Sequence, residues 1–310
     1  MQTHKHKAAK IVVVGSVNMD LLFKTPRMPA PGETLMGQSF HQIHGGKGAN
    51  QAVAAARLGG EVSLIACVGQ DDFGRSSVAA LQADGIDTQL VRQVSNCATG
   101  VAGILLDDSG ENSIVLAAGA NAEVQSTDID AGKTIMSGAQ FLVCQLETPM
   151  ASVAYAIQQA KTLGLQVILN PAPMQDIATD LLNQVDFLVL NETETQQMTG
   201  MSVENAESAV AAAQVLRQRG VGTVIVTLGA AGVVVVTAEG SMTMPAYKVE
   251  VLDTTAAGDT FVGALAVALG EGEGLQKACD FAQRAAAIAV TQLGAQTSIP
   301  HRSLVESHFH

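Results

Sequence analysis

The chain has 310 residues, of which 47% are hydrophobic and 15% are charged. A chain of this length buries roughly 75% of its unfolded surface, so it needs no disulfides or metals to hold a core. Its formal net charge of −12 excludes a protein that coats nucleic acid or an anionic membrane, because both need a cationic face. The four cysteines lack metal-ligand spacing and no apolar run reaches membrane-spanning length, so we expect a soluble cytoplasmic protein with reduced thiols.

Short apolar runs rich in β-branched residues alternate along the chain with longer alanine-rich segments. Continuous apolar runs are typical of strands that are covered on both faces. Such strands are predicted at residues 11–14, 62–68, 141–145, 166–169, 186–190, 223–227 and 233–237. Helices are predicted at residues 48–58, 76–85, 149–164, 204–220, 258–269 and 275–293. This alternation predicts a mostly parallel, doubly wound α/β sheet.

Two segments, approximately 17–43 and 97–119, depart from this rhythm. The first lacks a helical period and contains three prolines. The second carries a turn-rich connector at 107–110 between two apolar runs, which is typical of an antiparallel hairpin. Together they form either a small β lid or two long surface loops, and periodicity does not decide between these. No linker interrupts the chain, so we expect residues 1–310 to form a single domain.

The glycine-rich segment Gly45-Gly46-Lys47-Gly48-Ala49-Asn50 precedes a predicted helix. It matches neither the P-loop pattern nor the dinucleotide-binding fingerprint. One interpretation is a tight turn that starts a helix. The other is a loop that contacts a sugar or a phosphate, because glycines let backbone N–H groups approach a ligand and Asn50 supplies both a donor and an acceptor.

A run of small residues, 253–258, leads directly into an apolar helix, and Asp259 lies in the first turn of that helix. Free N–H groups at a helix start, together with the helix dipole, form an anion-binding hole. Asp259 either complements the dipole or acts as a general base. A base beside an anion hole suits phosphoryl transfer to a hydroxyl, in which the enzyme mainly positions groups and stabilises charge.

Several predicted strands are followed by polar residues, at the edge of an open α/β sheet where ligands bind. Such residues can hydrogen-bond a polyol, hold metal-bound water near a nucleotide, or merely form turns and helix caps. They are Asn18, Asp20, Glu147, Asn191 and Glu194. The segment 227–232 also follows a strand, and it is either a turn that faces a nucleotide or an ordinary β-turn.

Five motifs occur in an order that resembles the PfkB-type carbohydrate kinase family over residues 10–302. They are Gly-Ser-x-Asn-x-Asp at 15–20, Gly-Gly-Lys-Gly-Ala-Asn-Gln-Ala-Val-Ala at 45–54, Asn-Pro-Ala-Pro at 170–173, Asn-Glu-Thr-Glu at 191–194 and Asp-Thr-x-Ala-Ala-Gly-Asp at 253–259. The resemblance implies a three-layer α/β/α sandwich with a mostly parallel central sheet and a small β lid that often mediates homodimerisation. It also implies ATP-dependent phosphorylation of the 5-hydroxyl of D-ribose, giving ribose 5-phosphate and ADP, with Mg²⁺ and an activating K⁺.

The resemblance also assigns roles to individual residues. Asp259 is implied as the base, beside an anion hole formed by the N–H groups of Ala256, Ala257, Gly258 and Asp259. The implied ribose site comprises Asn18, Met19, Asp20, Gly46, Lys47, Gly48, Ala49, Asn50, Glu147 and Asp259. The implied ATP site comprises Asn191, Thr227, Leu228, Gly229, Ala230, Ala231, Gly232, Gly258, Asp259 and Gln283, with Glu194 near Mg²⁺. An implied K⁺ site, formed largely by carbonyls, comprises Asp253, Thr255, Ala289, Gln292, Gly294 and Ser298.

Some positions depart from the family pattern. Ala256 stands where many members have glycine, which narrows the permitted backbone dihedrals. Gln283 stands where some members place a histidine against adenine. Gln292 and Leu293 stand where basic residues are frequent.

Two alternative functions are also consistent with the sequence. One is a sibling kinase that acts on deoxyribose, fructose or a nucleoside such as adenosine. The other is a non-catalytic sugar-binding regulatory protein, against which the intact Asp259 argues. Aromatic residues make up only 3% of the chain, which favours a bare sugar over a nucleoside. Asn18, expected near the 2-hydroxyl, favours ribose over deoxyribose, because sites built to bind a hydroxyl reject analogues without it.

Overall fold

The computed structural model describes residues 7–309, and its centre is a nine-stranded sheet. The strands of this main sheet are β1 (Lys10–Val14), β4 (Glu61–Gly69), β5 (Val91–Val94), β8 (Phe141–Cys144), β9 (Gln166–Leu169), β10 (Phe187–Asn191), β11 (Thr223–Thr227), β12 (Val233–Val236) and β13 (Ser241–Met244). Their order is β13-β12-β11-β10-β9-β8-β1-β4-β5. Only the β11–β12 and β12–β13 pairings are antiparallel, so the predicted mostly parallel sheet is confirmed.

Helices cover both faces of this sheet and complete a three-layer sandwich. They are α1 (Lys47–Arg57), α2 (Asp72–Ala83), α3 (Ser126–Ala131), α4 (Lys133–Met136), α5 (Met150–Leu163), α6 (Thr179–Leu182), α7 (Glu192–Thr199), α8 (Ala206–Gln218), α9 (Ala257–Gly270), α10 (Leu275–Ala289) and α11 (Arg302–His308). One apolar core lies between the sheet and the layer that contains α1, α9 and α10. The other lies on the opposite face, beneath α5 and α8.

All seven predicted strands are present, but two helix boundaries differ from the prediction. The α2 helix begins at Asp72 rather than residue 76, because the Asp71 carboxylate caps it by accepting the N–H of Gly74 at 2.8 Å. The α10 helix ends at Ala289 rather than residue 293. Beyond it, the carbonyl of Val290 accepts the N–H of Leu252 at 2.8 Å.

Four further strands form a second sheet at one edge of the sandwich. They are β2 (Asn18–Thr25), β3 (Ser39–Gly45), β6 (Gly100–Asp107) and β7 (Asn112–Ala117), in the order β3-β2-β6-β7. The β2–β6 pairing is parallel and the other two are antiparallel. The two segments that break the helical rhythm are therefore lid strands rather than surface loops, and β3 continues past the predicted boundary at residue 43.

The topology brings many predicted site residues to one edge of the main sheet. β1, β8, β9, β10 and β11 are parallel and end there, as ligand sites of open α/β sheets require. The α1 and α9 helices begin at the same edge and pack closely. A Cβ on Gly263 would lie only 2.6 Å from the Cβ of Ala54.

The helices between residues 7 and 309 include none that is both long and apolar enough to cross a membrane.

Candidate active site

Two backbone loops pack against each other at the base of the site. Gly46 has φ +92°, and a Cβ there would lie 2.7 Å from the Asn18 nitrogen. A Cβ on Gly48 would lie 2.4 Å from the nitrogen of Ser16. The N–H of Ala49 donates to the carbonyl of Ser16 at 2.8 Å. Glycine at both loop positions therefore lets the start of α1 dock directly against the segment that follows β1.

Asp259 lies buried in the first turn of α9, with 6% of its surface exposed. Its Oδ2 accepts a hydrogen bond from Nδ2 of Asn50 at 3.0 Å, and its Oδ1 accepts one from Nε2 of Gln51 at 2.9 Å. Oδ1 of Asn50 is buried and has no partner among residues 7–309. This oxygen can accept a hydrogen bond from a sugar hydroxyl. The structure therefore brings Asn50 and Asp259 together as the sequence predicts, and it adds Gln51.

Asn18 and Asp20 share one face of β2, because side chains alternate along a strand. Oδ1 of Asn18 accepts a hydrogen bond from Nδ2 of Asn121 at 2.7 Å, which leaves the Nδ2 of Asn18 available to a ligand. Gly45, which pairs with Asn18 across the β2–β3 register, leaves room for Asp20, because a Cβ there would lie 2.3 Å from Oδ2 of Asp20. The side chain of Met19 lies on the other face of β2, so the structure does not bring it to this group.

Glu147 joins the loop after β8 to the glycine-rich segment. Its Oε2 accepts hydrogen bonds from Oγ of Ser16 at 2.5 Å and from the N–H of Lys47 at 3.1 Å. Sequence reasoning missed both Ser16 and Asn121 as site residues. Ser16 lies inside a recognised motif, but Asn121 lies beyond the lid strands and carries no local signal.

Carboxylates dominate the electrostatics of the site. Burial, assisted by the negative charges of Glu147 and Asp259, raises the pKa of Asp20 from 3.8 to about 7. Burial also raises the pKa of Glu194. Burial alone would lower the pKa of Lys47, but the nearby carboxylates of Asp259, Glu147 and Glu194 outweigh it and the pKa rises. Lys47 is therefore a cation held among acidic groups.

A second compartment, of about 400 Å³, opens on the other side of the first turn of α9. Six predicted residues line it: Thr227, Gly229, Ala230, Gly232, Gly258 and Gln283. Its remaining wall is mostly apolar and includes Tyr247, Val249, Val251, Phe261, Ala286 and Val290, none of which the sequence singled out. An apolar slot with a few polar groups is typical of a small-molecule site and suits a flat aromatic base.

Four predicted nucleotide residues do not line this compartment: Asp259, which accepts hydrogen bonds from Asn50 and Gln51, and three others. The side chain of Leu228 is buried in the core beneath α5 and α8. Ala231 is exposed in a short 3₁₀ turn that follows β11. Asn191 caps α7, where its Oδ1 accepts the N–H of Glu194 at 2.8 Å. Asn191 is thus a helix cap, as one of the sequence interpretations has it, and its place in the ATP site stays a prediction.

The four N–H groups predicted to form an anion hole at the start of α9 are not equally well placed. Ala256 has φ +59° and ψ +9°, a left-handed conformation that disfavours residues with a Cβ. The N–H of Ala257 points to the carbonyl of Thr254 at 3.2 Å. Gly258 and Asp259 follow in the first turn, where N–H groups have no intrahelical carbonyl. These two N–H groups are the better placed of the four predicted donors.

Of the residues predicted to surround a monovalent cation, Asp253, Thr255 and Gly294 come together in adjoining loops. Oδ1 of Asp253 accepts the N–H of Thr255 at 2.9 Å, and its Oδ2 accepts the N–H of Gly294 at 2.8 Å. Ser298 is buried and donates through Oγ to the carbonyl of Ala295 at 2.8 Å. Between residues 7 and 309, no group of three or more acidic, histidine or cysteine side chains forms a metal cage. A cation here would depend on main-chain carbonyls.

Sequence comparison places this geometry in a known family. Residues 8–302 match the family described as pfkB family carbohydrate kinase. The chain belongs to the pfkB family of carbohydrate kinases. The helix start of α9, the buried Asp259 and the polar side chains of the lid thus lie close together in a carbohydrate kinase.

Individual relatives cover almost the whole chain. It is 45% identical to a ribokinase of Haemophilus influenzae, over 94% of this chain and 95% of the relative. It is 38% identical to a deoxyribokinase of Salmonella typhi, over 94% and 95% of the two chains. The structure of Arabidopsis thaliana ribokinase complexed with ribose and ATP superposes with a TM-score of 0.89 and 34% identity, over 97% of this chain and 98% of the other.

The raised pKa of Asp20 predicts a pH-dependent cost in stability. The folded chain retains the Asp20 proton up to about pH 7, whereas the unfolded chain loses it near pH 3.8. The free energy of unfolding therefore falls as pH rises from about 4 to 7. Asp20→Asn cannot ionise, so we expect it to gain on the order of 2 kcal/mol over wild type across this window, after allowance for partial exposure.

Urea unfolding at pH 4.5, 6 and 8 measures this difference. The matched control is Asp176→Asn, which replaces an exposed carboxylate and should follow wild type at every pH. A stability difference between Asp20→Asn and wild type that stays constant from pH 4.5 to 8 contradicts the assignment.

Proposed function

We propose that the chain transfers the γ-phosphoryl group of ATP to the 5-hydroxyl of D-ribose, forming ribose 5-phosphate and ADP. The observation that carries the proposal is the position of Asp259, a buried carboxylate at a helix start, between the polar side chains of the lid and the apolar compartment. The ribokinase relatives, one of them solved with ribose and ATP, support this substrate pair.

The proposed reaction is an in-line displacement at phosphorus. The 5-hydroxyl oxygen bonds to the γ-phosphorus, the bond from that phosphorus to the β–γ bridging oxygen breaks, and ADP leaves. Asp259 accepts the hydroxyl proton as general base. The N–H groups of Gly258 and Asp259 stabilise the negative charge on the transferring phosphoryl oxygens, aided by the helix dipole. Lys47 adds a positive charge beside them.

The sugar site follows from hydrogen-bonding complementarity. Asn18 offers a free Nδ2 donor, Asp20 and Glu147 offer carboxylate acceptors, and Asn50 offers a free oxygen. The backbone of Gly46 to Asn50 lines the same space. These are groups that bind vicinal hydroxyls.

Deoxyribose is the second candidate substrate, because the chain is also similar to a deoxyribokinase. The Asn18 donor favours ribose, since it would lose its partner without a 2-hydroxyl. We expect kcat/KM for ribose to exceed that for deoxyribose by at least about tenfold, the value of one unmade buried hydrogen bond. An ADP-release assay with ribose, deoxyribose, fructose and adenosine measures this, with Asn18→Leu as the variant that should remove the preference. Equal or better turnover of deoxyribose by the wild-type enzyme overturns the ribose assignment.

Replacing the proposed base should separate binding from chemistry. Asp259→Asn keeps the shape of the side chain but cannot accept the proton, so we expect kcat to fall roughly 10²–10⁴-fold. Ribose binding, measured by calorimetry, should change by less than about tenfold. The exposed carboxylate of Asp180 provides the control, and Asp180→Asn should retain wild-type kcat. An Asp259→Asn enzyme with most of its activity would show that another group takes the proton.

The residues present fit a magnesium ion that arrives with ATP. Mg²⁺ prefers one or two carboxylates, water and substrate phosphates to a cage made by the protein. Glu194 supplies such a carboxylate. Its Oε2 accepts the N–H of Asn191 at 3.0 Å, and its charge acts on Lys47 and Asp259. Mg²⁺ there would neutralise phosphate charge while Glu194 orients its water ligands.

We also propose that a monovalent cation binds the loops around Asp253 and Gly294. The Asp253 carboxylate ties these loops together just before the start of α9, so a cation among their carbonyls would stabilise the anion hole. K⁺ should therefore raise kcat several-fold over Na⁺ as the sole monovalent ion. Asp253→Asn, which weakens the loop contacts, should reduce that ratio. Equal rates of the wild-type enzyme in the two salts contradict a K⁺ site.

Assembly as a homodimer through the lid is proposed from its exposed apolar residues. Phe23 and Phe40 are 41% and 48% exposed and have ring centroids 4.8 Å apart. Val115 on β7 is 76% exposed, and the strand register places it on the same face of the lid as Phe23. Such a patch is typical of an interaction surface, and sedimentation velocity of the purified chain tests the assembly. A cytoplasmic location stays a prediction from the sequence.

A further inference from the structure

We propose that Gln51 is a positioning residue for Asp259, held in place by a relay of side-chain amides that starts at the central sheet. The inference rests on the proposed function of Asp259 as the base. The relay consists of Asn170, Gln51 and Gln145, to none of which the family resemblance assigned a role.

The side-chain amide of Asn170, the first member of the relay, has a fixed orientation. Nδ2 of Asn170 donates to the carbonyl of Val189 in β10 at 3.0 Å. A backbone carbonyl can only accept, so this bond settles which end of the Asn170 amide carries the nitrogen. Oδ1 of Asn170 therefore faces Gln51, and it accepts from Nε2 of Gln51 at 3.2 Å.

Gln145 fixes the other end of the Gln51 amide. Nε2 of Gln145 donates to Oε1 of Gln51 at 2.6 Å. With its oxygen engaged there, Gln51 directs Nε2 to Oδ1 of Asp259 at 2.9 Å. A reversed Gln51 amide would place its oxygen against two acceptors, the oxygens of Asn170 and Asp259. The relay therefore permits one orientation of Gln51, the one in which it donates to the base.

Burial gives this orientation its strength. Gln51 and Gln145 are both 0% exposed, so water cannot replace a lost amide contact. An unpaired polar group in such surroundings is unfavourable. Gln51 holds Oδ1 of Asp259 while Asn50 holds Oδ2, so the plane of the carboxylate is set by two donors on α1.

Other charged groups act on Asp259 from the elements packed around it. They are Asp20 on β2, Lys47 on α1 and Glu194 on α7, and Glu147 after β8 acts in turn on Asp20 and Lys47. None of them is a hydrogen-bond partner of Gln51. A substitution at Gln51 therefore leaves these charges in place and removes the donor to Oδ1, together with the bonds of Gln51 to Asn170 and Gln145.

The test compares the full-length wild-type chain with Gln51→Met, which keeps an unbranched side chain of similar length but has no amide. kcat and the KM for ribose are measured from pH 5 to 9 at saturating ATP. We expect kcat to fall by roughly 10–100-fold, and the acid limb of the kcat profile to move up by about one pH unit, because the ionised base is less favoured. The KM for ribose should change by less than about threefold, since no bond of Gln51 reaches the sugar-facing residues of the lid.

The matched control is Gln140→Met. Gln140 accepts the N–H of Lys10 at 2.9 Å and donates to the carbonyl of Gly270 at 2.7 Å, at the opposite edge of the main sheet. It therefore loses amide contacts as well, and its pH profile should coincide with that of wild type. Gln145→Met retains Gln51 but leaves its Oε1 without a donor, so the amide is held less firmly and we expect a shift of the acid limb in the same direction and of smaller size.

The outcomes separate this inference from the proposed function. A wild-type chain that does not phosphorylate ribose overturns the proposed function. An active wild type whose acid limb is unchanged in Gln51→Met overturns the positioning role of Gln51 and leaves the proposed function standing. If circular dichroism shows that Gln51→Met is unfolded, the Gln145→Met variant tests the positioning role of Gln51 instead. An acid limb of Gln145→Met that coincides with that of wild type then overturns this role.

Discussion

The close packing of two backbone loops is the constraint on which the rest of the site depends. The segment after β1 and the start of α1 approach so closely that a Cβ at Gly48 would clash with Ser16. This contact fixes where α1 begins, and therefore where Asn50 and Gln51 meet Asp259 on α9. The lid strand β2 begins in the same loop. One piece of backbone therefore positions both the proposed sugar-site residues Asn18 and Asp20 and the donors that orient Asp259, the proposed base.

Charge balance in the site follows from this compactness. The loops bury several carboxylates close together. Their burial and mutual repulsion disfavour ionisation, which is why the pKa of Asp20 is raised. The protein offsets these unfavourable effects with Lys47, with backbone N–H groups and with side-chain amides rather than with a cluster of basic residues. An overall charge of −12 is therefore compatible with binding a nucleotide, because the phosphate-binding groups are mostly neutral dipoles.

The sequence predicts the parts of this structure that depend on local patterns. Continuous apolar runs locate the buried strands. The strands β5 and β13 are not predicted, because they are short and only half buried. The glycine-rich and Asp259 segments identify the two helix starts. Gln51 and Asn121 could not be assigned roles, because their partners lie far away in the chain and only tertiary packing brings them together. The apolar slot beside Gln283 also depends on an extended segment without a motif.

The two side chains that donate to Asp259, Asn50 and Gln51, are neutral amides. They differ in this from the histidine or lysine side chains that can also orient a carboxylate. Side-chain amides neither gain nor lose protons at any pH that the fold survives. The two donors that orient the proposed base therefore keep their hydrogen-bonding capacity whatever the acidity of the solution.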